Sequence, residues 1–330
     1  MGVHVDDVIS TGTAENLEWL QEQLKKQYEL KTQMIGEWHD HSGVYLGREI
    51  RWTSEGFEWR PNVEQIHKII EAYGLQDGNS TNMPLTNTML NMEFGNPMSP
   101  EDASVFRSMA ARANYVAQYR PDLSLATAVA ASQMGTPHEG AEMLLKKLAR
   151  YLIGREVAVT RFPWQYLDEP ALIVYTDSDW ATEVRSRKSK TGGALYHGEH
   201  LVGHWARTQD RVARSSGEAE LKAACTGIAE LMGLAHLVRF LRPGVVRLEH
   251  RMDAAATIGM TQRQGAGALK HLSVRELWVQ EVVQNESIVV TKVSRSQNPA
   301  DALASVGRSA DDFQRQMHML NLTHEAARAA

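Results

Sequence analysis

The chain has 330 residues, 43% of them hydrophobic and 23% charged, so its length predicts about two domains and its composition an ordinary folded protein. Its formal net charge of −5 excludes a uniformly basic nucleic-acid binder, and its single cysteine, Cys225, excludes an internal disulfide and fits a reducing compartment. The sequence has neither a run of about 18 apolar residues nor a signal peptide at residues 1–11, so we expect no membrane partner and an intracellular location, cytoplasmic or nuclear.

The first half of the chain predicts hairpins and amphipathic helices. Residues 3–10 predict a strand pair with a tight turn at Asp6-Asp7, and we expect a chain that begins within a domain. Residues 76–100 are rich in Asn, Gly, Pro and Met and predict a linker or long loop. The remaining predictions are a helix over 13–28, a hairpin over 43–59, a helix opened by Pro61, two helical pieces over 100–131 broken at Arg120-Pro121, and a helix over 138–153.

A different order of elements begins near Ala171. The predicted strands are 171–176, 192–196, 201–205, 245–252 and 287–293. The predicted helices are 216–241, 254–262, 269–284 and a last one that starts within 299–304. Three strands followed by alternating helices and strands indicate a mixed α/β layer fold. The tail after Gly307 predicts a helix with no readable role.

Charge is unevenly distributed along the chain. Residues 171–307 carry 17 Lys and Arg against 14 Asp and Glu, and the rest of the chain therefore has a net charge of −8. Two basic runs, at 185–190 and 207–214, lie in the positive part. Taken alone, such runs are most often solvated loops, so they become informative only together with a catalytic site.

Acidic residues in the second half fall at the ends of predicted elements. Asp177 and Asp179 end a strand, Glu220 lies one turn into the long helix, Asp253 ends another strand, and Asp301 opens the last helix. Hydrolysis of a phosphodiester by two Mg²⁺ ions needs several carboxylates that converge from different elements, because one carboxylate cannot hold both ions. The set is typical of such a site.

Each of these acids also has an ordinary structural explanation. Asp253 and Asp301 are at positions where an aspartate commonly caps a helix or forms a turn. Glu218 and Glu220 lie near a helix N-terminus, where the helix dipole favours acids. The pattern as a whole, not any single member, predicts the site.

Several segments together resemble the ribonuclease H of Ty1/copia-type retrotransposon Pol polyproteins. The order and spacing of these segments agree over about 135 residues, which is far more specific than a lone motif. The matching segments are YTDSDWA at 175–181, RKSKTG at 187–192, WARTQ at 205–209, SSGEAE at 215–220, DAAA at 253–256, Lys270-His271 and NPAD at 298–301.

The resemblance implies a set of functional residues. It assigns catalysis and metal binding to Asp177, Glu220, Asp253 and Asp301, with two Mg²⁺ or Mn²⁺ ions as cofactors. Glu220 is preferred to Glu218, which we expect to cap the helix. Asp179 is either a supporting acid or a turn former, and we favour the turn. His271 either assists turnover or product release or makes a hydrogen bond at a helix start. Contacts with an RNA–DNA hybrid are expected from Lys188, Arg207, Arg211, Arg214, Ser215 and Ser216.

The first half resembles the end of a copia-type reverse transcriptase. VHVDDV at 3–8 is similar to the Tyr-Val-Asp-Asp box, which makes Asp6 and Asp7 a remnant polymerase box. Similar agreement holds for YLGREI at 45–50, RPD at 120–122 and RYLIG at 150–154. Because His4 replaces the tyrosine of the box and the upstream metal aspartate is missing, we expect no polymerase activity, and a separate reverse transcriptase portion is a further expected partner.

The resemblance implies an α/β chain in four regions. These are a partial α+β reverse transcriptase palm and thumb over 1–75, a linker and helical connection over 76–165, a ribonuclease H-like mixed five-stranded sheet flanked by helices over 166–307, and a helical tail over 308–330. The implied function is an endonuclease that hydrolyses the RNA strand of RNA–DNA hybrids.

Two alternatives accompany this function. An inactive retroelement remnant that at most binds nucleic acid is favoured by His4 and by Ala254, which replaces the asparagine usual after the third aspartate. An integrase-like nuclease would want a glutamate as its last ligand and a zinc-binding His/Cys segment, which a chain with one cysteine does not provide.

Overall fold

A computed structural model describes the protein over residues 1–90, 92, 95–166, 171–183, 185–267, 272, 274–306 and 309–325. The helices are α1 Ala14–Lys25, α2 Glu64–Ala72, α3 Asn87–Leu90, α4 Pro100–Ala117, α5 Ser124–Ser132, α6 Glu142–Leu152, α7 Ser216–Leu241, α8 Ala255–Gln262, α9 Val274–Asn285, α10 Asp301–Ala304 and α11 Ala310–Met319. The strands are β1 Gly2–His4, β2 Asp7–Ile9, β3 Ser42–Tyr45, β4 Arg48–Thr53, β5 Gly56–Arg60, β6 Ala158–Pro163, β7 Ala171–Asp179, β8 Lys190–His197, β9 His200–Thr208, β10 Arg247–Met252, β11 Val289–Lys292 and β12 Leu322–His324.

Two five-stranded sheets organise the described part of the chain. The first has the order β12-β6-β5-β4-β3, and all its neighbouring strands are antiparallel. The second has the order β11-β10-β7-β8-β9. In the second sheet β7, β8 and β9 are antiparallel, whereas β10 and β11 run parallel to β7. The C-terminal ends of β7 and β10 therefore meet at one edge, and the predicted mixed sheet flanked by helices is confirmed.

Helix α7 covers one face of the second sheet. Leu221, Ile228 and Leu231 on α7 are fully buried and share a core with Leu172 and Val174 of β7. Helices α8 and α9 pack against α7, with Val279 and Val283 in the same core. By length and composition alone α7 could cross a membrane, but its apolar side is occupied by the sheet.

The opposite face of the second sheet packs against a layer of helices. Helix α5 contacts β9 and α10 contacts β8, and α2, α4 and α6 complete the layer. The core of this layer includes Tyr196 of β8 and Leu201 of β9, which extend from the second sheet, and Leu303 of α10. The C-terminal helix α11 adds Phe313 and Met317 to that core. The helical layer and the C-terminal segment are therefore continuous with the second sheet.

A buried ion pair lies at the centre of the helical layer. Arg120 is fully buried, and its Nε and Nη2 donate to the two carboxylate oxygens of Asp122 at 2.9 and 2.7 Å. The Tyr151 hydroxyl donates to Oδ2 of Asp122 at 3.0 Å, and His324 Nε2 lies 3.1 Å from the same oxygen. Because Tyr151 belongs to α6 and His324 to β12, the pair ties the middle of the chain to its C-terminal strand.

The structure corrects several details predicted from the sequence. The N-terminal hairpin turns at Val5-Asp6, one residue earlier than predicted, because His4 pairs with Asp7. Within the predicted loop at 76–100, residues 87–90 form α3. Strands β6 and β12 were not predicted, since each is short and pairs with a strand far away in sequence. Strands from the regions 1–75, 76–165 and 308–330 share one sheet, and the division between those regions stays a prediction.

Replacing Asp122 with asparagine tests the buried ion pair. The variant leaves the Arg120 guanidinium buried without a counter-charge, and we expect the free energy of unfolding to fall by about 3–5 kcal/mol. Urea unfolding followed by circular dichroism measures the change, with the exposed Asp77→Asn as the matched control. An equal, small effect of both substitutions would show that the pair is not needed.

His250 makes stability dependent on pH. It is fully buried on β10, its Nε2 lies 2.8 Å from Thr176 Oγ1, and burial lowers its pKa from 6.5 to about 3. The unfolded chain therefore takes up a proton first as the pH falls below 6.5, so stability is lost on acidification, by roughly 2–3 kcal/mol at pH 4.5. Urea unfolding at pH 7 and 4.5 should show a smaller difference for His250→Gln than for the wild type. His236→Gln, at an exposed histidine, should show the same difference in unfolding free energy between the two pH values as the wild type. If His250→Gln also showed the same difference as the wild type, His250 would not be the source of the pH dependence.

Candidate active site

Asp177 lies near the end of the central strand of the second sheet. In the strand pairing, Asp177 lies opposite Gly192 of β8, and the Asp177 side chain is 6% exposed. The apolar run 171–174 makes β7 a buried strand, and β7 is flanked by β8 on one side and β10 on the other. This buried acid is thereby fixed in the middle of the sheet.

Helix α7 begins with a capping arrangement that separates two glutamates by role. Ser215 Oγ accepts the Glu218 N–H at 3.2 Å, and the Glu218 carboxylate accepts the Arg214 N–H at 2.8 Å and pairs with Lys222 Nζ at 2.9 Å. Glu218 therefore serves the helix start, as predicted. Glu220 takes no part in this capping arrangement and is available for the site.

Glu220 reaches across to the end of β7. Its Oε1 accepts hydrogen bonds from Ser178 N at 3.2 Å and from Ser178 Oγ at 2.8 Å. Its Oε2 is buried and has no hydrogen-bond partner within the described part of the chain. Ser178 thus orients the carboxylate and leaves one oxygen free for a ligand.

Three carboxylates converge from three elements. Asp253 directly follows β10, which runs parallel to β7, so it lies at the same sheet edge as Asp177. Asp177, Glu220 and Asp253 each offer an oxygen, and these oxygens all lie within 4.8 Å of one another. We call these three residues the acidic cluster.

Burial and repulsion change the ionisation of the acidic cluster. Burial, followed by the charges of Glu220, Asp301 and Asp253, raises the pKa of Asp177 well above its usual value. Burial likewise raises the pKa of Glu220 to about 7, against the hydrogen bonds from Ser178, which lower it. A cation placed between these oxygens would relieve both effects, because it stabilises their ionised forms.

The donor set of the acidic cluster fits a hard divalent cation. Carboxylate oxygens are the ligands that Mg²⁺ and Mn²⁺ prefer, and among the residues that the structure describes no softer nitrogen or sulfur belongs to this group of ligand atoms. The unpartnered, buried Oε2 of Glu220 is the kind of oxygen that such an ion would satisfy. Asp177, Glu220 and Asp253 are therefore the residues that could hold it.

Asp301, the fourth predicted acid, lies beside the acidic cluster rather than within it. It begins α10, is 5% exposed, and contributes to the raised pKa of Asp177. Its Oδ1 pairs with the guanidinium of Arg295, whose Nη2 is 2.6 Å away. Arg295 was not singled out in the sequence; a lone arginine in a loop gives no local signal of such a contact.

Asn298 is a second residue that sequence reasoning left without a role. It is fully buried; its Nδ2 donates to the carbonyl of Thr176 at 3.0 Å, and its Oδ1 accepts the Ala300 N–H at 3.2 Å. Asn298 therefore ties the loop that carries Asp301 to the strand that carries Asp177. Its place in the NPAD segment at 298–301 was the available signal.

Four other predicted residues have different outcomes. His271 lies outside the described residues, so its role stays a prediction. Asp179 ends β7, and its carbonyl accepts the Thr182 hydroxyl at 2.9 Å in the turn that follows, as the favoured turn interpretation expects. Asp6 and Asp7 are exposed in the N-terminal hairpin, where Asp6 forms the turn and Asp7 begins β2.

The predicted nucleic-acid contacts lie in the segment before β8, on β9, and in the segment that leads into α7, including its first residue. Arg207 is exposed, pairs with Glu230 at 2.8 Å and stacks over Trp205 with its guanidinium 5.3 Å from the ring centroid. Arg211, Arg214 and Ser216 are exposed, Lys188 is half-buried, and Ser215 caps α7. Arg211 and Arg214 thus lie just before the helix that carries Glu220.

Two glycines set how closely the elements of the site approach. A Cβ at Gly227 of α7 would lie 2.3 Å from Thr176 Cγ2 of β7, next to Asp177. A Cβ at Gly192 of β8 would lie 2.3 Å from the Ala300 carbonyl, next to Asp301. Larger residues at either position would push a carboxylate-bearing element away from the sheet.

Two glycines of the same helix give opposite expectations. Gly227→Ala should lower the free energy of unfolding by about 1–3 kcal/mol, because α7 must move away from Thr176. Gly233→Ala should raise it by about 0.5–1 kcal/mol, because a Cβ there meets open space and alanine favours the helix. Urea unfolding of both variants measures the pair, and stabilisation by Gly227→Ala would refute the close approach.

Curated proteins similar to this chain include transposon polyproteins of plants. The retrovirus-related Pol polyprotein from transposon TNT 1-94 of Nicotiana tabacum is 27% identical over 92% of this chain and 23% of its own length. The corresponding polyprotein from transposon RE1 of Arabidopsis thaliana is 26% identical over 92% of this chain and 20% of its own length. An uncharacterized mitochondrial protein of Arabidopsis thaliana is 29% identical over 69% of this chain and 91% of its own length.

The chain spans less than a quarter of the length of the two polyproteins. No protein-family model matches it. Among solved structures, the LC11 ribonuclease H1 isolated from compost is 15% identical, covering 42% of this chain and 93% of its own, with a TM-score of 0.33. That likeness is distant, and the description of the second sheet rests on its own strand order. Polyproteins of two transposons match about nine-tenths of its residues, and the chain is therefore similar to retrovirus-related Pol polyproteins of transposons.

Proposed function

We propose that the chain is a metal-dependent ribonuclease H that hydrolyses the RNA strand of RNA–DNA hybrids. The observation that supports this most is the acidic cluster, in which oxygens of Asp177, Glu220 and Asp253 lie within 4.8 Å of one another. Its position at the edge of a mixed sheet, in a chain that is similar to transposon Pol polyproteins, agrees with the sequence motifs. The proposed cofactors are two Mg²⁺ or Mn²⁺ ions.

Each residue of the proposed site has a separate role. When bound, the two divalent ions supply an activated water and stabilise the leaving 3′ oxygen. Asp177, Glu220 and Asp253 would hold the ions together with Asp301. Ser178 keeps the Glu220 carboxylate turned toward Asp177 through its two hydrogen bonds. His271 is proposed to assist turnover or product release.

The substrate would be held through its backbone. Arg211 and Arg214 are exposed beside the start of α7, where their positive charge and that of the helix dipole favour phosphate. Contacts with 2′-hydroxyls would distinguish the RNA strand from DNA. A reverse transcriptase portion is a further proposed partner, because the chain covers only a part of its relatives' length.

Cleavage of a labelled hybrid tests this function. In Mg²⁺ the wild-type chain should cut only the RNA strand, and chelator should stop the reaction. Asp177→Asn should lower the cleavage rate more than about a hundredfold, because it removes an ionised oxygen ligand, while hybrid binding stays equal or becomes tighter. Asp179→Asn is the matched control: it changes an acid two residues along the strand that lies outside the acidic cluster, and should cut within a few-fold of the wild type.

Two outcomes would reject the proposal. A folded wild-type chain that cuts neither strand would favour the alternative, an inactive remnant that at most binds nucleic acid, and a binding titration with the same hybrid would then test that alternative. Full activity of Asp177→Asn would remove the acidic cluster from the reaction.

A further inference from the structure

The two carboxylate oxygens of Asp301 are held differently. Oδ1 receives Arg295 Nε at 2.9 Å, Arg295 Nη2 at 2.6 Å and Ser305 Oγ at 3.2 Å. From the part of the chain that the structure describes, Oδ2 receives one hydrogen bond, from Gln316 Nε2 at 2.8 Å. An ionised carboxylate has about two lone-pair sites on each oxygen. Oδ1 is therefore fully used, and Oδ2 is the oxygen that retains capacity for a ligand.

Gln316 belongs to the C-terminal helix, which the sequence left without a role. Helix α11 starts at Ala310, with Ser309 Oγ accepting the Asp312 N–H at 3.1 Å. Phe313 and Met317 anchor it in the core of the helical layer. This packing fixes the position of α11 along its axis and its rotation about that axis relative to α10. The Gln316 amide is thereby presented to Asp301 by a rigid element.

The burial of Gln316 argues for a use beyond packing. The residue is 1% exposed, and its Oε1 has no hydrogen-bond partner within the described ranges. Burying an amide costs free energy unless its polar groups are used, and an apolar side chain would fill the same space without that cost. Among the described residues, the one hydrogen bond of the Gln316 side chain goes to Asp301. Its polar character is thus directed at the fourth acid.

We propose that Gln316 is a positioning residue that orients Oδ2 of Asp301 toward the acidic cluster, so that the C-terminal helix is part of the nuclease site. The inference rests on the proposed metal-dependent function. A partner that fixes the orientation of a ligating carboxylate changes metal affinity even though it does not touch the ion. Arg295 holds one oxygen of Asp301, and Gln316 directs the other.

Calorimetric titration of the full chain with Mn²⁺ tests the proposal without any cleavage assay. Gln316→Met keeps the length and burial of the side chain but removes the donor, and it should weaken Mn²⁺ binding about tenfold. Gln314→Met is the matched control, since it changes a glutamine on the same helix, pointing away from Gln316, and should bind within about twofold of the wild type.

A double-mutant cycle distinguishes positioning from packing. In an Asp301→Asn background, Gln316→Met should cause no further loss of Mn²⁺ affinity, because the oxygen that it orients has lost its charge. Equal additional losses in both backgrounds would overturn the proposal. The thermal midpoint is recorded for every variant, and if Gln316→Met does not fold, Gln316→Asn replaces it, since its shorter side chain withdraws the donor while remaining polar.

The wild-type titration separates the two levels of inference. Failure of the wild-type chain to bind Mn²⁺ would overturn the proposed metal-dependent function itself. Wild-type binding that is unchanged in Gln316→Met would overturn only the positioning role.

Discussion

Repulsion among the carboxylates of Asp177, Glu220 and Asp253 is the constraint around which the second sheet is built. Three acids whose oxygens lie within 4.8 Å of one another destabilise the fold that brings them together. Burial and, after it, the charges of the neighbouring acids raise the pKa of Asp177. The cluster persists because each acid is carried by a different, independently anchored element. Strand pairing fixes Asp177 and Asp253, and a buried helix fixes Glu220.

The anchoring depends on close contacts between backbones. Gly227 lets α7 lie directly on Thr176, and Gly192 does the same for the segment that leads into α10. Asn298 then joins that segment to β7 by a buried hydrogen bond. Arg295 supplies positive charge next to the acids through its pairing with Asp301. Packing, hydrogen bonding and one compensating charge thus offset the repulsion together.

The rest of the chain supports this arrangement through the helical layer. The buried pair of Arg120 and Asp122 receives Tyr151 from α6 and His324 from the last strand, so distant parts of the sequence meet at one charged centre. Removing one partner would leave an uncompensated buried charge, which makes the whole set interdependent. The same layer positions α11, and through Gln316 it reaches Asp301.

The sequence alone determined the alternation of elements after Ala171, the mixed sheet and the capping role of Glu218, because periodicity, capping and motif spacing are local or ordered along the chain. The catalytic role of the acids that it selected stays a prediction. Tertiary structure decided what depends on distant contacts. Strands β6 and β12 depend on pairing between segments that are distant in the sequence, because β6 pairs with β5 and with β12. The contacts of Arg295 and Gln316 with Asp301, and the place of Asp301 beside the other acids, follow from packing between elements, for which a single sequence carries no periodic signal.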